Sequence, residues 1–207
     1  MGLITFYHNK RILFLFIGVI LCSNAFSQNQ AALDSFNYER EKIGSNSMFV
    51  LGGWSVANII VSGAALTDTK GEAYYFHEMN VLWNLINLGI AIPGYLGTIK
   101  RRNNILNPSE TIKKQMATEK LYLINGIMDV SYIFMGYYCY TLGDKYPLGA
   151  NMLHGFGHSF MMQGTFLLIN DILIAMIHGG HYKKKLAPIL EKLTFSGNGV
   201  GLVIPIK

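Results

Sequence analysis

The histidines are the residues whose spacing most directly suggests chemistry. His154 and His158 are four residues apart, so they would share one face of a helix. Neutral imidazoles are common ligands of transition metals, and His77 or Glu78 could add a ligand from a neighbouring helix. We therefore predict a metal or haem site at His77, Glu78, His154 and His158, with Asp68 and Asp144 in the adjoining loops as further oxygen ligands or supporting groups. The alternative is that these histidines bond to loop carbonyls or lipid headgroups.

A second pattern is a polar stripe that begins at His77. Asn80, Asn84 and Asn87 follow at intervals of three, four and three residues, which keeps all four side chains within an arc of about 80° on a helix. Amide groups that face lipid would cost several kcal/mol each. The stripe is therefore predicted to face the interior of a helix bundle, either as hydrogen-bonding groups between helices or as the lining of a pathway or binding cavity.

Two acidic residues fall inside apolar runs. Asp129 and Asp171 are functional candidates because a carboxyl group inside a membrane is costly to maintain. They could share a proton or relay one. Alternatively, each could be a protonated or amide-bonded acid that fixes packing, with Asn125 or Asn170 as its partner. Asn58, in the first apolar run, is a further polar residue predicted to lie inside the membrane.

The elements that position these groups are apolar segments of membrane-spanning length. Half of the chain is hydrophobic (51%) and only 14% is charged, against about 25% in soluble domains. Each run is close to the roughly 20 residues that cross a bilayer. We predict an all-α membrane protein, a bundle of four transmembrane helices built as two helical hairpins, with these spans: Met48 to Leu66, Met79 to Ile99, Leu121 to Leu142 and Met152 to Ile177.

The remaining segments flank this 48–180 domain. Residues 1–27 have a basic start, a short apolar stretch and a small-residue cleavage site, which predicts a signal peptide. Residues 28–47 form a polar N-terminal segment. Asn107 to Glu110 predicts the start of a short interfacial helix between the hairpins. Residues 181–207 predict a short amphipathic helix on the membrane surface and a β-like tail.

The basic residues lie beside the apolar runs, in the clusters Lys100–Arg102, Lys113–Lys114 and Lys183–Lys185. This placement indicates anchoring at lipid headgroups and argues against nucleic acid as a partner. The positive-inside rule places these clusters in the cytoplasm, whereas a cleaved signal places them on the other side. We expect a multi-pass protein of the inner (cytoplasmic) membrane. Its partners would be the lipid bilayer and a second copy of the chain or another membrane protein.

Three function classes fit the sequence. The chain has no nucleotide loop, Ser/His/Asp set or HExxH zinc motif, which favours a non-catalytic bundle or partner subunit of the cell envelope over an enzyme. One alternative is a metal- or haem-binding membrane protein that uses His77, His154 and His158. The other is a small oligomeric transporter that uses the intramembrane asparagines and aspartates.

Two segments carry a family resemblance, Leu51 to Asn58 and Phe76 to Ala91. They resemble a group of uncharacterised Bacteroidetes membrane proteins with a signal-like start, four spans and a glycine-containing β-like tail. The likeness covers most of the chain after the signal. It implies a location in the envelope and the same four-span fold, and it implies no activity.

Overall fold

The computed structural model describes the backbone of residues 2–191, 193–196 and 199–202 and the side chains of residues 30–191. Its helices are α1 (Gly2–Ala65), α2 (Gly71–Arg101), α3 (Pro108–Lys145), α4 (Ala150–His181) and α5 (Ala187–Glu191). A short 3-10 helix (Pro147–Gly149) precedes α4, and a π-helix (Tyr182–Leu186) joins α4 to α5. The predicted helical fold class is confirmed. The predicted signal peptide, residues 1–27, falls on residues whose side chains are outside this description.

The four long helices pack as two antiparallel pairs. α1 lies along α2 and α3 lies along α4, while the contact between α2 and α4 joins the pairs. α3 begins at a capping box in which Asn107 accepts a hydrogen bond from the Glu110 N–H and the Glu110 carboxylate accepts one from the Asn107 N–H. The helix then continues to Lys145, so the short interfacial helix predicted at this motif is instead the first turn of α3.

Within residues 30–191 the bundle has a polar interior and an apolar exterior. Large apolar residues such as Ile60, Ile86, Leu123 and Phe134 are exposed. Buried asparagine, glutamine, serine and aspartate side chains outnumber the buried apolar residues, which are Leu33, Phe36, Leu51, Ala91, Tyr122, Ile174 and Leu186. Water would disfavour such a distribution, whereas lipid favours it. The fold therefore suits a bilayer.

Among the described residues, three helices are long and apolar enough to cross a membrane: Gln30–Ala65, Gly71–Arg101 and Pro147–Glu191. The sequence predicted a fourth span within α3, and that helix is not among them. α3 is 38 residues long, but Asn125, Asp129 and several tyrosines lower the hydropathy of its middle. Length and composition thus support a membrane protein with three candidate spans.

The helices also pack together beyond the predicted spans, at the end of the bundle that contains the polar segment of α1, residues 28–47. We call this end the cap. Leu33 and Phe36 of α1 and Leu186 of the π-helix are buried together, with Ile189 and Leu190 packed beside them. The apolar face of the predicted surface helix is therefore in contact with α1. The opposite end, where α1 connects to α2 and α3 to α4, is the loop end.

Beyond α5, strand β1 (Leu193–Ser196) pairs antiparallel with strand β2 (Gly199–Leu202). Leu193 is opposite Leu202 in this register, and Ser196 is opposite Gly199.

Candidate functional site

The interior of the bundle is built from heptad-spaced residues. On α3, the buried positions include Gln115, Tyr122, Asp129, Gly136 and Gly143, each seven residues after the last. A seven-residue spacing keeps side chains on the seam that faces a neighbouring helix. Soluble bundles fill this seam with leucine and isoleucine, so its polar and small residues are a distinguishing feature of this chain.

Glycines bring α3 and α4 into backbone contact. A Cβ atom on Gly136 would lie 2.6 Å from the carbonyl oxygen of Gly157, and one on Gly157 would lie 2.7 Å from that of Gly136. Gly155 makes a similar contact with α2, because its Cβ would lie 2.5 Å from the carbonyl oxygen of Glu72. Gly53, another small residue on an apolar run, has open space around it. Among the described glycines, Gly136, Gly155 and Gly157 thus bring the backbone of α4 close to α3 and α2.

An amide network joins α1, α2 and α4 toward the loop end. Asn80 accepts hydrogen bonds through Oδ1 from Ser159 Oγ (2.8 Å) and from Gln163 Nε2 (2.9 Å). Gln163 Oε1 accepts one from Trp54 Nε1 at 2.9 Å, and the Trp54 ring stacks on Phe166. Sequence reasoning did not include Trp54, since its indole is one of many aromatic groups on apolar runs.

The two aspartates lie between α3 and α4, nearer the cap. Asp171 accepts a hydrogen bond from Asn170. Asp129 is buried, and within residues 30–191 its Oδ2 has no hydrogen-bond partner. Two turns after Asp171, His178 is buried with its ring against Tyr122, and neither ring nitrogen has a partner among the described side chains. The two carboxyl groups and this imidazole therefore lie at successive levels along the interface between α3 and α4.

Several buried polar atoms in this interior have no partner within the described part of the chain. They include Asn84 Oδ1, Asn87 Nδ2, Trp83 Nε1 and Asp129 Oδ2. Buried polar groups in folded proteins are almost always hydrogen bonded, to protein or to ordered water. Water or a small polar ligand would satisfy these atoms where the interior has room for it.

The polar groups extend over the thickness of a bilayer. From His77 to Thr98, the inner face of α2 covers roughly 31 Å at 1.5 Å per residue. A hydrocarbon core is about 30 Å thick. α2 supplies the amides toward the loop end, and α3 and α4 supply the acids and His178 toward the cap. We call these residues the polar column: Asn80, Asn84, Asn87, Asp129, Asp171 and His178.

A second group of ionisable residues, the loop-end cluster, contains Glu72, Asp144, His154 and His158. Glu72 contacts both histidines: Oε1 lies 2.8 Å from His158 Nδ1 and Oε2 lies 3.7 Å from His154 Nδ1. The other nitrogen of His154, Nε2, lies 3.1 Å from Asp144 Oδ1. The Tyr140 ring stacks on the His154 imidazole and lies tilted by 45° against that of His158. The cluster joins the start of α2, the end of α3 and the start of α4.

The structure brings together His154 and His158 and separates them from the other predicted ligands. His77 contacts Ser62 Oγ through Nδ1 at 3.2 Å, and Glu78 is not part of the cluster. Glu72, which the sequence analysis did not select, takes their place. Asn58 bonds to the backbone of its own helix at Trp54. Within residues 30–191, no three His, Cys, Asp or Glu side chains form a ready-made metal-binding group.

Comparison with known proteins gives one family. Residues 50–172 match the model of a family of unknown function (DUF6992), which is more than half of the chain. The chain belongs to this family. The predicted relationship to an uncharacterised family is thus confirmed, while the match carries no information about the source organism. No curated protein and no solved structure matches the chain.

The DUF6992 match includes the amide network, both aspartates and the loop-end cluster, and it ends before His178. The cap lies mostly outside it. There, Arg40 is 3% exposed and donates hydrogen bonds to Asn37 Oδ1 and Glu41 Oε1. Glu41 Oε2 accepts another from Arg101 at the end of α2. These contacts hold α1 and α2 together at the cap.

Replacing Glu41 with glutamine is expected to destabilise the protein by about 3–5 kcal/mol, since it leaves the Arg40 cation buried without its counter-charge. Thermal unfolding in detergent would measure the change. The matched control is Glu39→Gln, because glutamine can keep the contact of this partly exposed residue with His181 and loses only the charge pair with the half-exposed Lys185. Such a pair contributes about 1 kcal/mol or less. Equal losses in the two variants would show that Arg40 does not depend on Glu41.

Proposed function

We propose that this DUF6992 protein is a multi-pass protein of the cytoplasmic membrane that conducts protons through the polar column. The observation that carries the proposal is the burial of Asp129, Asp171 and His178 in one interior, with no lysine or arginine in the predicted spans. Without a fixed cation, the carboxyl groups are free to bind and release protons. Intramembrane chains of acids and histidines are a common form of proton relay.

In this proposal α3 is the fourth span, although its hydropathy alone is modest. It packs along α4 and places its polar residues in the seam, while Leu123, Ile127 and Phe134 remain exposed toward lipid. Asp129 then avoids lipid because its backbone lies against Gly164, where a Cβ would be 3.0 Å from the Asp129 carbonyl oxygen. A helix that is too polar to cross alone can cross as part of such a pair.

The order of groups on α3 and α4 defines the route toward the cap. A proton bound by Asp129 would pass through water to Asp171, whose carboxylate accepts a hydrogen bond from Asn170. From Asp171, His178 lies two turns further along α4, roughly 10 Å away. Neither of its nitrogens is bonded to a described side chain, so the ring would accept a proton on one nitrogen and release another from the opposite nitrogen.

Toward the loop end, the route depends on water held by amides. Asn84 and Asn87 each have one buried side-chain atom without a partner among residues 30–191, and Trp83 Nε1 is a further donor. Amide groups do not titrate, so they orient water molecules and do not carry protons themselves. The Asn80–Gln163–Ser159 network fixes the walls of this half of the column.

Proteoliposomes that contain a trapped pH-sensitive dye would test the proposal. Under an imposed pH gradient with a potassium shunt, vesicles with the wild-type chain are expected to equilibrate faster than protein-free vesicles. If folded protein gives no more flux than empty vesicles, proton conduction is wrong. The chain would then be a non-catalytic bundle or partner subunit, and the polar column would serve only packing.

A further inference from the structure

The loop-end cluster is separate from the polar column and carries an inference independent of proton conduction. Its three innermost groups are the Glu72 carboxylate and the Nδ1 atoms of His154 and His158. One carboxylate is shared by two imidazoles that are one helical turn apart on α4. Imidazole and carboxylate together form the usual ligand set of divalent zinc and related transition metals.

We infer that Glu72, His154 and His158 bind one divalent transition metal ion of the zinc class. Two ligands at about 2.0–2.1 Å from a tetrahedral metal are roughly 3.3 Å apart. The two nitrogen–oxygen separations, 2.8 Å and 3.7 Å, lie on either side of this value. Binding replaces the His158–Glu72 hydrogen bond, and the imidazole proton of His158 moves to Nε2 so that the Nδ1 lone pair reaches the metal. The shorter separation lengthens by about 0.5 Å and the longer one shortens by about 0.4 Å.

Asp144 supplies the support that a metal-bound histidine needs. Its carboxylate lies 3.1 Å from His154 Nε2, so it accepts the proton of that nitrogen and leaves the Nδ1 lone pair directed at Glu72. A carboxylate behind a ligating imidazole fixes its tautomer and raises its basicity. Gly143 permits this position of the ring, because a Cβ atom there would overlap the His154 imidazole.

The same geometry indicates an open coordination position. Three protein ligands leave a fourth site of a tetrahedral metal for water. The side chains of Glu72 and His158 are 40% and 45% exposed, so this position faces the aqueous side of the loop end. Both connecting loops meet here, and the metal would join α2 to α4.

Zinc and cobalt titrations of the purified, chelator-treated protein in detergent test this site. Equilibrium dialysis with elemental analysis should give one bound zinc per chain, and cobalt should give visible absorption typical of a tetrahedral site. Asp144→Asn should weaken zinc binding by about 10–100-fold. His158→Ala and Glu72→Gln should weaken it further, with helical content checked by circular dichroism.

The matched control is a His77→Ala/Glu78→Gln double variant, which removes the ligands predicted from sequence and leaves the loop-end cluster intact. It should bind zinc as the wild type does. The inference is wrong if the wild-type chain binds no stoichiometric zinc or cobalt. It is also wrong if the control variant loses zinc while the Asp144→Asn and His158→Ala variants retain it. Neither outcome bears on proton flux, which is measured separately.

Discussion

Replacing Gly157 with alanine should destabilise the bundle by about 3 kcal/mol or more, at the upper end of the range for overpacked interiors. The new methyl group would lie 2.7 Å from the Gly136 carbonyl oxygen and 2.9 Å from the Tyr140 backbone nitrogen. Neither of these neighbours is a flexible side-chain end, so α3 and α4 would have to separate. Thermal or denaturant unfolding in mild detergent would measure the loss.

Gly89→Ala on α2 is the matched control, because nothing lies within 4 Å of a Cβ atom at that position. Alanine has a higher helix propensity than glycine, so this variant should be unchanged or more stable by up to about 1 kcal/mol. The two substitutions add the same methyl group, and the expected changes in the free energy of unfolding have opposite signs. A Gly157→Ala protein as stable as the wild type would contradict the backbone contact between α3 and α4.

The second large effect is expected on proton flux. Asp129→Asn and Asp171→Asn should each reduce flux in proteoliposomes by at least about 100-fold, the lower range for loss of a positioned proton-transfer group. Asparagine keeps the shape of the side chain and its hydrogen-bonding capacity but does not titrate. The packing of α3 against α4 should therefore survive, and unfolding temperatures would verify this.

Ser131→Ala and Thr165→Ala are controls on the same two helices. Both hydroxyl groups are exposed and bond only to the backbone one turn earlier, at Ile127 and Met161. These variants should conduct protons as the wild type does. Wild-type flux in folded Asp129→Asn protein would remove Asp129 from the relay, and wild-type flux in both aspartate variants would overturn the relay itself.

The sequence predicted the helices and the inner face of α2 because both depend on local spacing. Runs of about 20 apolar residues specify helices in lipid, and the interval between Asn80, Asn84 and Asn87 assigns them to one face whatever the neighbours are. The structure buries all three. The predicted fourth span is not among the candidate spans, because Asn125 and Asp129 lower the hydropathy of α3.

The loop-end cluster and the cap could not be predicted in the same way. Glu72 lies five residues before His77, and only the crossing of α2 by α4 at Gly155 decides which of them meets His158. Residues 28–47 have the composition of a surface segment, yet Asn37, Arg40 and Glu41 are buried by residues far along the chain. Long-range pairings of charges leave no periodic signal in the sequence.

Water should enter the polar column inside the membrane bundle, and water-edited solid-state NMR in lipid bilayers tests this most directly. The side-chain amide of Asn87 and the ring of His178 should receive magnetisation rapidly from water, because both have unpartnered nitrogens in the interior. The exposed side chain of Ile86, one residue away from Asn87, should receive it from lipid acyl chains. Water transfer to Ile86, or none to Asn87 and His178, would contradict the account.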